Sequence, residues 1–493
     1  MRLLLGLDLG TSYFKVGLFS PNGELRGLGR VRVITDTPAP GRVELPVDRF
    51  IALFRQGLDE ALRAAGAHAR DIAGISYSSQ ATTFLLLDEG ERPLTPLVLW
   101  TDTRGAPIEP EVAAFGVSPE FHQRVGHAGF GAESAVPKLR WFRRERPEIW
   151  ARAARMMTIS DYLTFLLTGE RAGDASTAAF LGLQDLRTHG WWPEAFATLG
   201  LDGAKFSRLL APGSPCSRTG STANARLGLP EGIPFAVGAI DHHAAAVGAG
   251  LGSLAEVSIS TGTVLAALAL VDRIEPVPGC YHGPHTDGRR FYRLAFDADG
   301  AGKLENYQRR VAPGKTLEEL LAAADRARRN GNPDAVEAGV LEILTAVART
   351  QAGLVAQVTD SRRVSRIAAT GGGARSDLWL RLKAEAIGAS VVRSPVAEPA
   401  CLGAAIFAAV AAVSVTFVIL PVSQSWAASP SVQKASSSSS RARVLKKVPV
   451  RKELKSPKPK PAAAAKSSAA SVQAAFPYAL PITDDWKTKW KIM

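Results

Sequence analysis

An acidic residue beside a glycine turn is the first place in this chain where chemistry could occur. Asp8 ends an apolar strand-forming run, and the sequence Gly-Thr-Ser follows at 10–12. Gly10 lets a ligand approach the backbone, and the amides and hydroxyls of Thr11 and Ser12 can donate to phosphate oxygens. Because a carboxylate repels a polyphosphate unless a divalent cation lies between them, the stretch predicts a Mg-nucleotide site. An ordinary hairpin with a glycine turn is the alternative.

A second acidic residue, Asp241, stands between a predicted buried strand at 235–237 and a predicted helix of small residues at 244–250. That position lets its carboxylate point into a cleft. The next two residues are His242 and His243, which cannot face the same way on one helix, so a paired metal site is not expected.

Residues 256–266 repeat the plan of the opening hairpin, with the sequence STGTV at 260–264 in the place of DLGTS at 8–12. Two phosphate hairpins, one in each half of the chain, predict two similar domains that face each other. Ser260 stands where the first copy has Asp8, so a metal contact is expected from the first half.

Polar side chains follow two other predicted strands, at 72–77 and 97–100. Side chains at strand ends in an α/β sheet commonly face the ligand crevice. Trp100, Asp102 and Arg104 would offer an apolar wall, an acceptor and a forked donor to a polyhydroxylated substrate. A core tryptophan beside a surface Asp–Arg pair is the alternative.

Three glycines at 371–373 follow a short predicted strand at 367–369, and Ser376 caps a predicted helix at 377–387. A loop without side-chain bulk admits a flat ring, and a helix N-terminus favours anions. A glycine loop that binds nothing is the alternative.

The elements that must hold these residues alternate between strands and helices, which is typical of an α/β fold. An apolar stripe predicts a helix at 48–65, and others are predicted at 138–150 and at 160–167, the last capped by Ser160. With 493 residues and 46% hydrophobic content, the chain can form two or three domains with sizeable cores.

The positive charge of the chain is concentrated at its end. The net charge is +13, and from Ser423 onward 14 Lys or Arg stand against three acidic residues. The body before Ser423 is therefore nearly neutral, and no specific nucleic-acid partner is expected for it. A pure serine run at 436–440 and the alternation of lysine with proline near 455–461 predict a low-complexity, disordered basic tail at 423–493.

Three cysteines, Cys216, Cys280 and Cys401, lie far apart without metal-ligand spacing, which favours a reducing compartment and a cytoplasmic protein. The early Asp8 argues against an export signal. Residues 400–422 are apolar and long enough to span a bilayer, but a core helix is predicted at 402–412, so membrane insertion is not expected.

The order of these motifs resembles the FGGY family of carbohydrate kinases. The motifs, spread over residues 3–412, are DLGTS, SxQxTT with LLLD, WxDxR, KLxWF, GxxDHHAAAVGAG, STGT, GGGARSDLW and ExxxLGAA. The resemblance implies two actin-like (ribonuclease H-like) ATPase domains that face a central cleft, which we place at 1–240 and 241–422. It also implies transfer of a phosphoryl group from ATP, with Mg²⁺, to a hydroxyl of a ketose or polyol, and it places the helix at 402–412 last in the second domain's core.

By position, the resemblance assigns a role to each candidate residue. Asp241 matches the catalytic base, and Asp8 belongs to the first phosphate loop, where we also expect it to hold the Mg²⁺. The first phosphate loop is matched by Gly10, Thr11 and Ser12, the second by Gly262 and Thr263, and the adenosine loop by Gly371, Gly372, Gly373 and Ala374. The predicted substrate pocket consists of Gln80, Trp100, Asp102, Arg104, Asp241 and His242.

The chain also departs from the family's patterns. Gln80-Ala81 stands where glycerol kinases carry Arg-Glu and xylulokinases Met-His, which disfavours glycerol and leaves the sugar open. His242 replaces the Gln or Asn expected after Asp241, and the usual closing helices are absent after Ala412. The alternative function is a catalytically impaired nucleotide-binding module of the same fold, against which the retention of both acids argues. The oligomeric state stays open, a homodimer being one alternative.

Overall fold

The computed structural model describes residues 2–127, 129–262, 264–297, 300 and 302–417. Strands in the described chain are β1 Leu3–Leu9, β2 Tyr13–Phe19, β3 Leu25–Arg32, β4 Glu44–Leu45, β5 Ile72–Ser79, β6 Phe84–Leu87, β7 Leu97–Val98, β8 Arg155–Thr158, β9 Ala172–Asp174, β10 Gln184–Asp185, β11 Gly190–Trp191, β12 Arg208–Leu210, β13 Pro215–Arg218, β14 Pro234–Ala236, β15 Ala239–Ile240, β16 Val257–Thr261, β17 Leu265–Val271, β18 Cys280–Pro284, β19 Phe291–Asp297, β20 Arg366–Thr370 and β21 Ser390–Arg393. Helices are α1 Val47–Ala65, α2 Pro110–Gly116, α3 Pro119–Val125, α4 Ala135–Glu145, α5 Pro147–Arg152, α6 Ile159–Thr168, α7 Ala175–Ala178, α8 Pro193–Thr198, α9 Asp241–Gly248, α10 Gly302–Val311, α11 Leu317–Asn330, α12 Ala335–Thr359, α13 Asp377–Ile387 and α14 Pro399–Phe417.

The first half is built on a sheet in the order β13-β14-β5-β1-β2-β3, with β15 also beside β5. Strands β1 and β2 form the predicted antiparallel hairpin, and β5 runs parallel to β1 on its other side. Helix α1 covers this sheet with the predicted apolar stripe, since Phe50, Phe54 and Leu58 are buried. A smaller sheet, β4-β7-β6-β8, lies in the same half and carries the strand before Trp100.

The second half repeats this plan in a sheet of order β18-β19-β17-β16-β20-β21. Strands β16 and β17 are an antiparallel hairpin, and β20 runs parallel to β16 as β5 does to β1. The prediction of an α/β chain with two similar halves is therefore confirmed. The domain boundary at 240/241 stays a prediction.

Helix α14 packs on the first sheet, so its predicted place as the last core helix of the second domain is wrong. Cys401, Ala405 and Ala408 are buried in one cluster with Leu4 and Phe19. The close approach requires glycine in the strands beneath.

A β-carbon added at Gly6 would lie 1.9 Å from the Cys401 carbonyl oxygen, and one at Gly74 would lie 2.4 Å from that of Ala408. These glycines in β1 and β5 form a groove that only a helix of small residues fits.

Two long apolar helices bear on the question of a membrane span. Helix α12 is long and apolar enough to cross a bilayer, yet Val340, Leu344 and Val347 are buried in the second core. Helix α14 contains most of the apolar stretch at 400–422, and its described side chains at 401–411 mostly pack on the first sheet. Both behave as core helices of a folded domain. The predicted disordered tail at 423–493 lies outside the described residues.

Three predicted helices test the local signals at helix ends. Helix α13 spans the predicted 377–387, is capped by Ser376 and stops at Gly388. The predicted helix at 138–150 is two helices, α4 and α5, because Pro147 cannot continue the first. The predicted cap Ser160 is wrong, since Thr158 caps α6 in a capping box with Asp161.

Candidate active site

Asp8 lies at the end of β1 with its carboxylate buried. Its Oδ1 atom accepts a hydrogen bond of 3.2 Å from the Ser78 hydroxyl, and its Oδ2 atom one of 3.3 Å from Lys15 Nζ. Burial raises the pKa of Asp8, the positive charge of Lys15 opposes that rise, and the negative charge of Asp241 adds to it. Asp8 and Asp241 therefore share one electrostatic environment, as both assignments require.

Lys15 is a site residue that the motif analysis missed. The hairpin register places it directly opposite Asp8, and its amino group also lies 2.9 Å from Glu398 Oε2, just before α14. Burial acts to lower the pKa of Lys15, but the charges of Asp8 and Glu398 outweigh it and raise that pKa. Counting back from the turn would have paired Lys15 with Asp8, whereas the sequence carried no signal for Glu398.

Asp241 is the first residue of α9 and follows β15 directly. Strand β15 pairs with Ser78 and Ser79 of β5, which sets Asp241 at the strand edge that also carries Asp8. Its Oδ1 atom accepts a 2.6 Å hydrogen bond from the backbone N–H of His242. The side chain of His242 is half-buried, whereas His243 is buried and hydrogen-bonds to His285 at 2.8 Å between ring nitrogens.

Hydrogen bonds hold Trp100 beside the first phosphate turn, at residues 10–12. Its indole N–H donates to Thr11 Oγ1 at 2.7 Å, and its backbone N–H donates to Thr83 Oγ1 at 2.9 Å. Trp100 keeps 37% of its surface exposed, so part of the residue remains accessible to a ligand. An aromatic face beside a phosphate turn suits the apolar side of a sugar.

Gln80, Asp102 and Arg104 are turned inward and are engaged with the protein. The Gln80 amide donates to Leu9 O at 3.2 Å and accepts from the Thr83 hydroxyl at 2.8 Å. Asp102 accepts two side-chain bonds from Arg104, at 2.9 and 2.8 Å, and is fully buried. These hydrogen bonds therefore fix the loop that presents Trp100.

The second phosphate loop and the adenosine loop meet at Thr261. Gly371 has φ +82°, and a β-carbon there would lie 2.6 Å from the Thr261 carbonyl oxygen. A β-carbon at Gly372 would meet nothing within 4 Å, which leaves open space for a flat ring at that position. Ala374 is buried and its carbonyl accepts a 2.7 Å hydrogen bond from Arg393 Nε. Gly262 is described beside this junction, whereas Thr263 lies outside the described residues.

Two buried lysines support these loops, and neither was predicted as a site residue. Lys138 of α4 donates to the carbonyl oxygens of Leu99 at 2.7 Å and Trp100 at 3.2 Å. Lys383 of α13 donates to Thr261 Oγ1. Burial lowers the pKa of each lysine to about 7. Both are fully buried, which is rare enough for lysine to mark them as structural supports of the site.

Aromatic rings join the two halves next to the site. Tyr281 stacks on Phe180 with ring centroids 5.0 Å apart, and on Phe296 at 5.3 Å. Phe296 is 43% exposed although it is a large apolar side chain. Since Phe296 lies opposite Ala266 in the second hairpin, it adds an open aromatic surface at that end of the sheet.

Asp8 fits a magnesium ion that is also bound by a nucleotide. No group of three or more His, Cys, Asp or Glu side chains that could hold a metal occurs in the part of the chain described. Mg²⁺ usually keeps several waters and binds one or two carboxylates together with substrate phosphates, so a single buried carboxylate is sufficient. Burial raises the pKa of Asp8, the charge of Lys15 opposes that rise, and the charge of Asp241 adds to it, so a cation bound there would favour the ionised carboxylate.

Comparison with known proteins agrees with this geometry. The model of the FGGY family of carbohydrate kinases, N-terminal domain, matches residues 3–248, and the C-terminal model matches residues 330–412. A xylulose kinase of Lactococcus lactis is 25% identical over 444 residues, which cover 83% of this chain and 88% of that protein. A gluconokinase of Bacillus licheniformis is 25% identical over 447 residues, covering 82% and 86%.

A solved structure, that of a "xyloylose kinase" from Brucella ovis, has a TM-score of 0.73 and 26% identity, over 84% of this chain and 91% of that one. The two-domain, actin-like α/β architecture implied by the motifs is thereby confirmed. Kinases of this family use ATP to phosphorylate hydroxyls of small sugars or polyols. The chain therefore belongs to the FGGY family of carbohydrate kinases and is a phosphotransferase with an alcohol group as acceptor.

Proposed function

We propose that this kinase phosphorylates a hydroxyl of a ketose or polyol, with Asp241 as the general base and Asp8 as the ligand of a nucleotide-bound Mg²⁺. The observation that carries the proposal is the meeting of Asp8 and Asp241 at one strand edge, beside a phosphate turn and a partly exposed tryptophan. Asp241 reaches this edge at the start of a helix, where its carboxylate is oriented by the His242 N–H.

The reaction follows from these positions. The Asp241 carboxylate accepts the proton of the sugar hydroxyl, whose oxygen then bonds to the γ-phosphorus of ATP. The bond from that phosphorus to the bridging oxygen breaks, and ADP leaves with the electron pair. N–H groups of the first turn, at Thr11 and Ser12, offset the charge on the phosphate oxygens. The loop at Gly262, whose own N–H donates to the Val264 carbonyl at 3.2 Å, lies against the phosphates from the second half. The bound Mg²⁺ would supply neutralisation of the phosphates, and closure of the halves would exclude water as a competing acceptor.

Within the predicted substrate pocket, the structure favours two kinds of role. Trp100 and Asp241 are exposed enough to touch a sugar, and His242 is half-buried beside them. Gln80 is engaged with Leu9 and Thr83, and Asp102 with Arg104, so we assign these three predicted contacts the task of positioning the Trp100 loop. The remaining nucleotide contacts are proposed at Gly10, Thr263 and the loop at 371–374.

Three chemical classes are candidates for the substrate: ketoses, polyols and sugar acids. The relatives are named for xylulose and gluconate, and a further one, 26% identical over 459 residues in Escherichia coli, is named an autoinducer-2 kinase. The pocket therefore has to be tested with ketoses, polyols and sugar acids side by side.

A small sugar is the proposed partner, and the free state of Cys216, Cys280 and Cys401 supports a cytoplasmic location.

The test is an assay that couples ADP release to an optical signal, run with each sugar and with none. ADP release that requires one sugar class supports the proposal. Nucleotide binding without turnover on any sugar would instead indicate a binding module. A matched variant, Asp48→Asn, alters an acid that is fully exposed on α1, and it is expected to leave the sugar profile unchanged.

A further inference from the structure

A buried lysine behind the second hairpin takes no part in the reaction described above. Lys383 projects from α13, is 0% exposed, and donates to the Thr261 hydroxyl. The ring of Trp379, one turn earlier in α13, lies 5.3 Å from its amino group. No ion pair of Lys383 occurs among the residues described, and burial is the one cause that shifts its pKa, to about 7.

Thr261, which accepts that hydrogen bond, occupies the junction of the nucleotide site. It ends β16 and is followed at once by Gly262 of the second phosphate loop. Its carbonyl oxygen leaves no room for a β-carbon at Gly371, and its methyl group lies 2.5 Å from where a β-carbon of Gly373 would be. Any shift of Thr261 would therefore move the phosphate loop and the glycine loop together.

A buried amino group without a counter-ion is unfavourable by itself. Moving a charge away from water costs free energy unless an opposite charge or several hydrogen bonds replace the water. In the described chain Lys383 has one hydroxyl and one aromatic ring. An anion arriving at the adjacent loop would supply the missing negative charge.

We infer that Lys383 is a positioning residue for the nucleotide phosphates: it fixes Thr261, and it carries a positive charge behind the second phosphate loop when phosphate groups occupy that loop. The inference rests on the proposed function, which puts phosphate groups at Gly262. In the first hairpin the cation, Lys15, lies in the strand opposite Asp8. In the second hairpin the position opposite Ser260 is Ala266, so the cation comes from helix α13 instead.

The test compares ADP with adenosine by titration calorimetry, using the wild-type chain and Lys383→Met in the presence of Mg²⁺. We expect about a tenfold loss of ADP affinity, the scale of one hydrogen bond to a charged group, with adenosine affinity changed less than about twofold. An equal loss for both ligands would show a structural support only and overturn the inference, as would unchanged ADP affinity. A wild-type chain that binds no ADP would instead overturn the proposed function, and this inference with it.

Two further variants keep the result interpretable. Lys315→Met removes an exposed lysine between α10 and α11, and it should leave the ratio of ADP to adenosine affinity unchanged. Thr261→Val retains the shape of the side chain without the hydroxyl, so it serves if Lys383→Met does not fold. The double variant should bind ADP no more weakly than the weaker single variant, because both act through one contact. Additive losses would contradict positioning through Thr261.

Discussion

The two phosphate hairpins share a backbone plan and differ in the charges that support them. In the first, Asp8 faces Lys15 across the strands, and Lys15 also pairs with Glu398. In the second, the corresponding positions are Ser260 and Ala266, which carry no charge.

A helix behind each hairpin completes the comparison. Glu398 stands immediately before α14, which packs on the first sheet, and Lys383 belongs to α13, which supports the second. The first hairpin thus receives an acid from its helix, and the second receives a base. This difference supports our proposal that the first half holds a metal ion with its phosphates and the second half phosphates alone, although both turns look alike in sequence.

The largest effect is expected from Asp241, which belongs to neither hairpin. Asp241→Asn should lower kcat at least about a hundredfold, the usual scale for loss of a general base, while ATP binding survives. Steady-state kinetics with the best sugar, together with ATP titration, measure both quantities. Near-normal turnover would show that another group is the general base, and that Asp241 does not accept the proton while the hairpins bind the phosphates.

The comparison itself is tested by changing the matched positions Asp8 and Ser260. Asp8→Ala should lower turnover with Mg-ATP about a hundredfold, as loss of an electrostatic support at a phosphoryl group does, with little change in sugar affinity. Ser260→Ala should change turnover less than about threefold, since that residue has no charge to lose. If sugar affinity collapsed in Asp8→Ala while the Mg²⁺ dependence stayed the same, the metal and sugar sites would have been interchanged.

Lys383 and Lys15 should differ in how they make the free energy of unfolding depend on pH. The pKa of Lys383 is lowered by burial to about 7, below its usual 10.5, so between those values the unfolded chain holds one more proton and stability rises with pH. Lys383→Met should remove that rise in the free energy of unfolding, measured by denaturant between pH 7 and 9. Lys15 has a raised pKa, so it stays charged across this window and Lys15→Met should leave the slope unchanged. Equal slopes for wild type and Lys383→Met would contradict the buried state of that amino group.

The smallest effect is expected at the end of the chain. A chain ending at Ser423 keeps α14, whose described side chains at 401–411 mostly pack on the first sheet, so it should retain its solubility and its sugar-dependent ATPase activity. Activity per mole, compared with the full chain, checks this. Loss of either property would show that residues after 423 belong to the fold and help α14 to stabilise the first half.

Local signals account for the parts of the molecule that were predicted correctly. The opening hairpin, the repeat at 256–266 and the limits of α13 all follow from strand alternation, glycine turns and a serine cap within a few residues. The predicted cap of α6 failed at this same level, because Thr158 offered a better capping box two residues earlier.

Sequence by itself determined the family and the two hairpins, because turn geometry and motif order depend on neighbouring residues, and it supplied the roles that we propose for Asp8 and Asp241. Only the tertiary structure decided what those residues touch. Helix α14 returns to the first sheet through the glycine groove, which brings Glu398 to Lys15 across most of the chain. Burial then turned Asp102 toward Arg104 and Lys383 toward Thr261, since a polar group removed from water must find its partner inside the fold.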